Sequence, residues 1–483
     1  MELTNTLLDI KRSLTHFYPE VGIMGGIVLL LFIDLFFKAK HRFLYKYIAS
    51  AIIIIPLSFS MVQHCPCVFG TGLFSNALLI NHTSVLFKIL FDLSAIGVIL
   101  FSIAATPNVD EHENRVEYYV LILGVLLGAH LMAMSYNLLV TFIGVELVSL
   151  CSYMLTAINK KNQEGYEGAI KYLIFGAVAS ALMLYGMSWL YGLYGGLSYD
   201  DIKIGDGTTT DWFLIFILFL VLCGFLFKIA AAPMHSWVPD VYQAAPNPIV
   251  AYFSVLPKLA GIAIFFNLVL SSDPHLEKMI IVVSLVSICM GNLGAFLQKN
   301  VKRMLAYSSI AHAGFLLIAI VSLNEYSQKA ALFYGYLLLF TNLGAFFVIH
   351  VLSKQMKAKE LQDFSGVGKE LPIVGVSIAI MMAALTGLPP TMGFSAKLFL
   401  FSGLWDTYQT TSDSLILTLF IIGLVNTVFG LFYYIKLPYY MFFKDSSKLP
   451  VISLTVTNKF FILLVVIPLL LFFIKSDWLF NLF

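Results

Sequence analysis

Three lysines, Lys228, Lys258 and Lys397, and one glutamate, Glu146, sit deep inside long apolar stretches of the chain. None has an opposite charge three or four residues away, the spacing at which side chains meet on one helix face. An ionised lysine at mid-bilayer costs about 2.5 to 3.5 kcal/mol on insertion scales, so each must find a partner on another segment. Amines and carboxylates are proton carriers. Burial favours their neutral forms and a nearby opposite charge favours the ionised ones. Four such groups without local partners point to a polar path for protons rather than to isolated structural salt bridges.

Other charged residues read as structural. Lys88 and Asp92 are four apart and are expected to neutralise each other on one helix face. Lys436 lies within two turns of a span end and can reach the interface along its alkyl stem; Asp34 has a similar place. His235, and His312 in "AYSSIAHAGF", could relay protons, since imidazole titrates near neutral pH, or could be hydrogen-bonded packing residues. His130 and His350 lie nearer span ends and are expected to be structural.

The segments that position these groups are broken in two places. In "FKIAAAPMHSWVPD" the apolar run stops at Pro233, after Lys228. In "ALTGLPPTMGFSAKLFLF" it stops at Gly387, Pro389 and Pro390, before Lys397. Unwound backbone at membrane depth is tolerated only where it is buried in protein or lines a wet cavity. The break is therefore expected to let water and displaced backbone groups solvate the adjacent lysine. Pro257 adds a kink before Lys258.

Composition requires a membrane. Of 483 residues, 59% are hydrophobic and 12% charged, half the charged share of an ordinary soluble domain, and the mean hydropathy is +0.89. About 14 spans are expected, near 20–38, 45–63, 83–104, 117–135, 137–157, 168–194, 212–236, 248–270, 277–297, 304–323, 330–353, 371–403, 414–441 and 459–480. About 18 lysines and arginines then fall in loops on one side and about six on the other, which puts both termini outside. The acidic loop "TPNVDEHENRVE" fits that orientation least well. The N-terminus lacks the layout of a cleaved signal peptide. The expected fold is all-α and polytopic: an N-terminal three-helix segment (1–116), two inverted five-helix repeats (117–270 and 271–441), each with a broken helix, and a C-terminal helix (442–483). Paired broken spans of this kind mark transporters built from inverted repeats.

Several functions are excluded. A net charge of +2 without a basic cluster gives no reason to expect nucleic acid. The cysteines Cys65, Cys67, Cys151, Cys223 and Cys289 have neither iron–sulfur nor zinc spacing. Neither a dinucleotide fingerprint nor a nucleotide-binding P-loop occurs. The chain is expected to hold no redox centre, cofactor or metal.

Between about 140 and 403 the stretches "GVELVSLCSYML", "EGAIKYLIFGAVASALMLYG", "FKIAAAPMHSWVPDVYQAAPNPIVAYFSVLPKLAGIA", "QKNVKRMLAYSSIAHAG" and "TGLPPTMGFSAKLFLF" follow one another. In that order they resemble the antiporter-like membrane subunits of proton-pumping NADH–quinone oxidoreductase, respiratory complex I, and "PDVYQAAP" resembles subunit N among them. The resemblance implies that Glu146 is the fifth-helix glutamate, Lys228 the seventh-helix lysine, Lys258 the eighth-helix lysine and Lys397 the twelfth-helix lysine, which exchanges protons with the outer side. His235 and His312 fall on motif histidines near the central polar axis. It further implies that NADH, FMN, iron–sulfur clusters and quinone are bound by partner subunits, and that sister antiporter-like subunits adjoin this one in a bacterial inner membrane. The rival is an Mrp-type cation/proton antiporter subunit driven by gradients.

Overall fold

A computed structural model describes residues 2–36, 44–64, 69–105, 115–159, 162–202, 212–268, 274–322, 324–445 and 452–483. Lys38, Lys40, Arg42, Lys160, Lys161, Lys203, Lys448, the pair Cys65 and Cys67, and residues 106–114 of the acidic loop lie outside the described residues.

The chain runs through α1 (Glu2–Leu14), α2 (Tyr18–Phe36) and α3 (Tyr45–Gln63) to strands β1 (Thr71–Leu73) and β2 (Leu78–Ile80). There follow α4 (His82–Ala104), α5 (Val116–Met134), α6 (Leu138–Thr156), α7 (Gln163–Tyr194), α8 (Trp212–Ile229), α9 (Val238–Ala244), α10 (Asn247–Phe253) and α11 (Leu256–Leu268). The remainder is α12 (Pro274–Phe296), α13 (Val301–Ser322), α14 (Glu325–Met356), α15 (Val367–Glu370), α16 (Pro372–Thr386), α17 (Met392–Thr411), α18 (Ser414–Tyr434), α19 (Lys436–Phe443), α20 (Val456–Ile474) and α21 (Ser476–Phe480).

Among the described residues, 13 helical segments are long and apolar enough to cross a membrane. The span expected at 371–403, twelfth in chain order, is not among these 13. It is divided into α16, of 15 residues, and α17, with a turn between them. The span expected to reach 236 stops at Ile229, because Ala230 takes a left-handed conformation (φ 65°) that no helix continues through. Helix starts follow the local sequence. Asn137, Asn324, Asp413 and Thr455 each accept a backbone amide of the first turn of α6, α14, α18 and α20, donors that have no partner inside the helix. The antiparallel pair β1–β2, in register Thr71–Ile80 and Leu73–Leu78, is a local departure from the all-α expectation.

The chain forms two compact units. Unit one comprises Met1–Ile99, Asp110–Ile229 and Leu256–Glu277; within it α5 packs on α2, α6 and α11, and α8 on α7 and α11. Unit two comprises Leu100–Val109, Ala230–Val255 and Lys278–Phe483. Its centre is α14, packed by α10, α13, α16, α17 and α20, and both α13 and α14 are buried along nearly their whole length.

Candidate functional site

In unit one, Lys228 occupies the last turn of α8 and is 2% exposed. Its Nζ donates to Ser149 Oγ on α6 at 2.8 Å. Ser149 lies three residues, about one turn, beyond Glu146. Glu146 is half-buried and its Oε1 accepts a short hydrogen bond from Ser180 Oγ on α7. Lys228 is thus held one turn along α6 from Glu146, and no direct ion pair joins them among the described residues. Among the described residues no backbone group of the break after Lys228 bonds the ammonium. The Ala232 amide at the break donates to Ser287 Oγ on α12 at 2.9 Å, and the ammonium turns to Ser149 instead.

Lys258 is 1% exposed on α11. Pro257 sits in the first turn of that helix, where its missing N–H removes no intrahelical bond. The interruption expected there is the turn between Phe253 and Leu256.

In unit two the second break behaves as expected. Pro389 and Pro390 have no N–H to give the carbonyls of Leu385 and Thr386 four residues back. Lys397 Nζ takes the freed Thr386 carbonyl at 2.8 Å. The ammonium also lies 4.6 Å from the centre of the Phe315 ring, a cation–π contact. Two glycines are required. Gly387 holds φ 91°, and a Cβ there would lie 2.8 Å from Lys397 Cδ; a Cβ on Gly393 would lie 1.7 Å from the Ala384 carbonyl oxygen. A cavity of about 580 Å³, lined by Phe394, Phe401, Trp405 and Asp406, opens beside Lys397. No carboxylate pairs with Lys397 among the described residues.

His312 is 3% exposed, with its Nδ1 2.6 Å from the Tyr334 hydroxyl and its Nε2 2.9 Å from that of Tyr434. Tyr434 also shares a short hydrogen bond with Ser308 Oγ. The imidazole therefore belongs to a hydroxyl chain, Tyr334–His312–Tyr434–Ser308. His235 lies half-buried in the turn after α8, its Nδ1 enclosed without a hydrogen-bond partner among the described residues.

The structure corrects one pairing and completes others. Lys88 does not pair with Asp92; its Nζ meets Glu20 Oε1 at 2.9 Å and Gln63 Oε1 at 2.8 Å, while Asp92 faces His130. Lys436 caps α12 through the Phe296 carbonyl at 2.6 Å, an anchoring role. Asp34 accepts from Tyr45 across the α2–α3 connection at 2.6 Å. Asp240 of "PDVYQAAP" pairs with Arg303 of "QKNVKRM" at 2.6 Å, and Lys302 caps the end of α9 through the Ala245 carbonyl at 2.7 Å. Two of the stretches that carry the resemblance thus hold each other.

Residues 135–429 match the family described as NADH:quinone oxidoreductase/Mrp antiporter, TM. The chain is 35% identical over 462 residues to NADH-quinone oxidoreductase subunit N 2 of Chloroherpeton thalassium, covering 92% of this chain and 88% of that one. The chain belongs to the NADH-quinone oxidoreductase subunit N family. Among solved structures, a chain of respiratory complex I from Thermus thermophilus superposes with a TM-score of 0.79 at 25% identity, covering 96% of this chain and 98% of that one. A chain of the Mrp complex from Dietzia sp. gives 0.80 at 19% identity, covering 97% and 96%, a likeness of fold alone.

In this subunit N relative, the six residues expected from the sequence fall into two sets. Glu146, Lys228 and Lys258 belong to unit one, and His235, His312 and Lys397 to unit two. Their neutral partners, Ser149, Ser180, Thr386, Tyr334 and Tyr434, were not expected. Nothing in a single sequence distinguishes them from other hydroxyl residues in apolar helices.

Proposed function

We propose that this chain is a proton-translocating membrane-arm subunit of NADH–quinone oxidoreductase, and that Glu146, Lys228, Lys258, His235, His312 and Lys397 carry the protons. The observation that carries the reading is that Lys228 and Lys397 are buried and held by neutral oxygens. A carboxylate partner would lock the ammonium form. Ser149 Oγ donates to the Val145 carbonyl at 2.7 Å and accepts from Lys228; a neutral amine keeps N–H donors, so that bond can persist through both states of Lys228.

Within unit one, the Glu146 carboxylate controls that choice. A charge pair opening from about 4 to 8 Å loses about 2 kcal/mol at an effective dielectric near 20, more than a tenfold change in an equilibrium. Movement of Glu146 between Ser180 and the Ser149 side would load or release a proton on Lys228. Within unit two, the tyrosine–histidine chain passes protons and Lys397 releases them to the outer face beside its cavity. Energy comes from quinone reduction in partner subunits, which hold NADH, FMN, iron–sulfur clusters and quinone; the sister antiporter-like subunits are neighbours. The two five-helix repeats, 117–270 and 271–441, are proposed to be inverted copies. The chain is placed in a bacterial plasma membrane with both termini outside.

The fold shared with the Mrp complex supports the rival reading, an Mrp-type cation/proton antiporter subunit, only as architecture. Lysine holds protons and repels sodium, which favours proton transfer. Purification of the native assembly separates the two readings: flavin, iron–sulfur centres and NADH–quinone activity are expected, and their absence refutes the proposal. Orientation is checked by outer-face thiol labelling of Lys357→Cys in intact cells. It is expected to fail, and ready labelling would reverse the topology.

A further inference from the structure

The first spans hold none of the residues assigned above, yet they enclose an ionisable cluster. Glu20 on α2, Lys88 and Asp92 on α4 and His130 on α5 are each 0% exposed. Glu20 Oε1 lies 2.9 Å from Lys88 Nζ and 3.0 Å from His130 Nδ1. On the other edge of the imidazole, Nε2 lies 3.2 Å from Asp92 Oδ1, at ion-pair distance though off hydrogen-bond alignment. From α3, Gln63 Oε1 accepts from Lys88 and Ser60 Oγ donates to Asp92 Oδ2 at 3.4 Å. Glu20 Oε2 is buried without a hydrogen-bond partner among the described residues. The carboxylates face opposite ring nitrogens and do not converge on one point, and the described residues hold no group suited to a metal ion.

Counting charges shows what the cluster requires. Lys88 supplies one positive charge and the two carboxylates two negative ones. A fully buried net charge is expensive, and a proton removes it. That proton can rest on Glu20, on His130 or on Asp92, and each choice leaves the cluster neutral. A purely structural link between α2 and α4 would be complete with Lys88 and Glu20 alone. The second carboxylate and the imidazole between the two acids add desolvation cost without adding a needed link.

The cluster is closed on one side by apolar residues. Lys88 Nζ lies 3.6 Å from Met134 Sδ, and Met134 belongs to a buried cluster with Phe17, Leu73, Leu78, Ile80 and Val85. That cap brings together β1, β2 and the residue before α2, and Gln63 is tied to it through the His16 carbonyl.

We propose that Glu20, His130 and Asp92 form a second proton relay, separate from the six residues above, in which one proton passes between two carboxyl groups through the imidazole. In the forward step the Glu20 carboxyl gives its proton to His130 Nδ1, and the N–H bond at Nε2 breaks as Asp92 Oδ1 takes that proton. Two protons each shift across one hydrogen-bonding gap, the net transfer is one proton from Glu20 to Asp92, the imidazole ends as its other tautomer, and no electrons transfer. Lys88 stays charged and, 2.9 Å from Glu20, favours its ionised form, so the proton rests on Asp92 and visits Glu20 during transfer. Participation of the relay in turnover rests on the proton-translocating function proposed above; its holding of one proton does not.

The test uses the native assembly in vesicles, with His130→Gln as the main variant. Glutamine keeps polar atoms at the site and carries no exchangeable charge. Two readouts are taken at matched assembly. Infrared spectra of the wild type are expected to show a buried protonated-carboxyl band that shifts in heavy water, changes in His130→Gln, and is lost in Glu20→Gln, where Lys88 and Asp92 balance without a mobile proton. Vesicle acidification in His130→Gln is expected to fall several-fold. A band unchanged in both variants, or wild-type acidification in His130→Gln, overturns the relay. If His130→Gln does not assemble, Glu20→Gln carries both readouts under the same criteria. Glu146→Gln serves as the control: if it stops acidification while His130→Gln does not, the relay alone fails, and if neither lowers it, the translocation reading fails with it.

Discussion

The two broken spans use the same device and treat their lysines differently. Before the first break, Lys228 ignores the interrupted backbone and bonds Ser149 on α6. After the second, Lys397 bonds the carbonyl that the break released, that of Thr386. The direction of side chains along a helix explains the contrast. Every Cα–Cβ bond tilts toward the helix N-terminus. Lys397, in the second turn of α17, therefore leans back into the turn it follows. Lys228, in the last turn of α8, leans away from the turn ahead of it and needs a partner from a neighbouring helix. A helix break can solvate a lysine that follows it more readily than one that precedes it.

The largest effect should separate a proton-releasing lysine from a charged prop. Arginine keeps the charge but almost never deprotonates. Lys397→Arg and Lys397→Ala are therefore both expected to abolish vesicle acidification at matched assembly, with quinone reduction measured alongside. Near-wild-type acidification by Lys397→Arg would reassign the residue as an electrostatic prop.

On the other side of the comparison, Glu146→Gln and Lys228→Ala are each expected to depress acidification strongly while the complex stays assembled, since the buried residues of α6, α7 and α8 are chiefly apolar or small. Wild-type pumping by both would remove the switch.

A smaller effect is expected at the first break itself. Ser287→Ala leaves the Ala232 amide unpaired, a loss of about 1–3 kcal/mol, which should show as a lower unfolding temperature of the purified assembly with less change in the pumping of the surviving protein. An unchanged temperature would mean that the amide has another partner.

The smallest change is expected from Phe315→Leu. It removes a cation–π contact worth about 0.5–2 kcal/mol and leaves the Thr386 bond to Lys397 in place. Acidification should fall slightly, and a collapse matching Lys397→Ala would show that the ring matters more than the carbonyl.

The lysines, Glu146 and both breaks were legible because each is a local signal: a charge in an apolar run, or proline and glycine inside one. Pairings were less legible. Lys88 and Asp92 have helix-pair spacing, but a lysine that precedes its acid leans away from it, and the unfavourable order of that pair leaves Lys88 free to reach Glu20 and Gln63. Glu20 itself lies at the third position of α2, where an acid ordinarily answers the helix dipole, so its burial beside His130 had no sequence signature. Ser149, Tyr334 and Tyr434 depend on which helices meet, and that is decided by packing across the whole bundle. The place of α10 and α11 shows this too: the eighth span reads as one helix, but its first part counts with unit two and its second with unit one.

The twelfth span also bears on how the protein is made. With 15 residues, α16 is about 22 Å long, short of the roughly 30 Å of hydrocarbon it must cross. Its continuation α17 is not among the segments apolar enough to span on their own, and it carries Lys397. This pair is poorly suited to enter lipid by its own partitioning as it leaves the insertion machinery. It requires α13 and α14, synthesised earlier and packed against it, to be in place first, so the segment that places Lys397 enters the bilayer against protein already folded there.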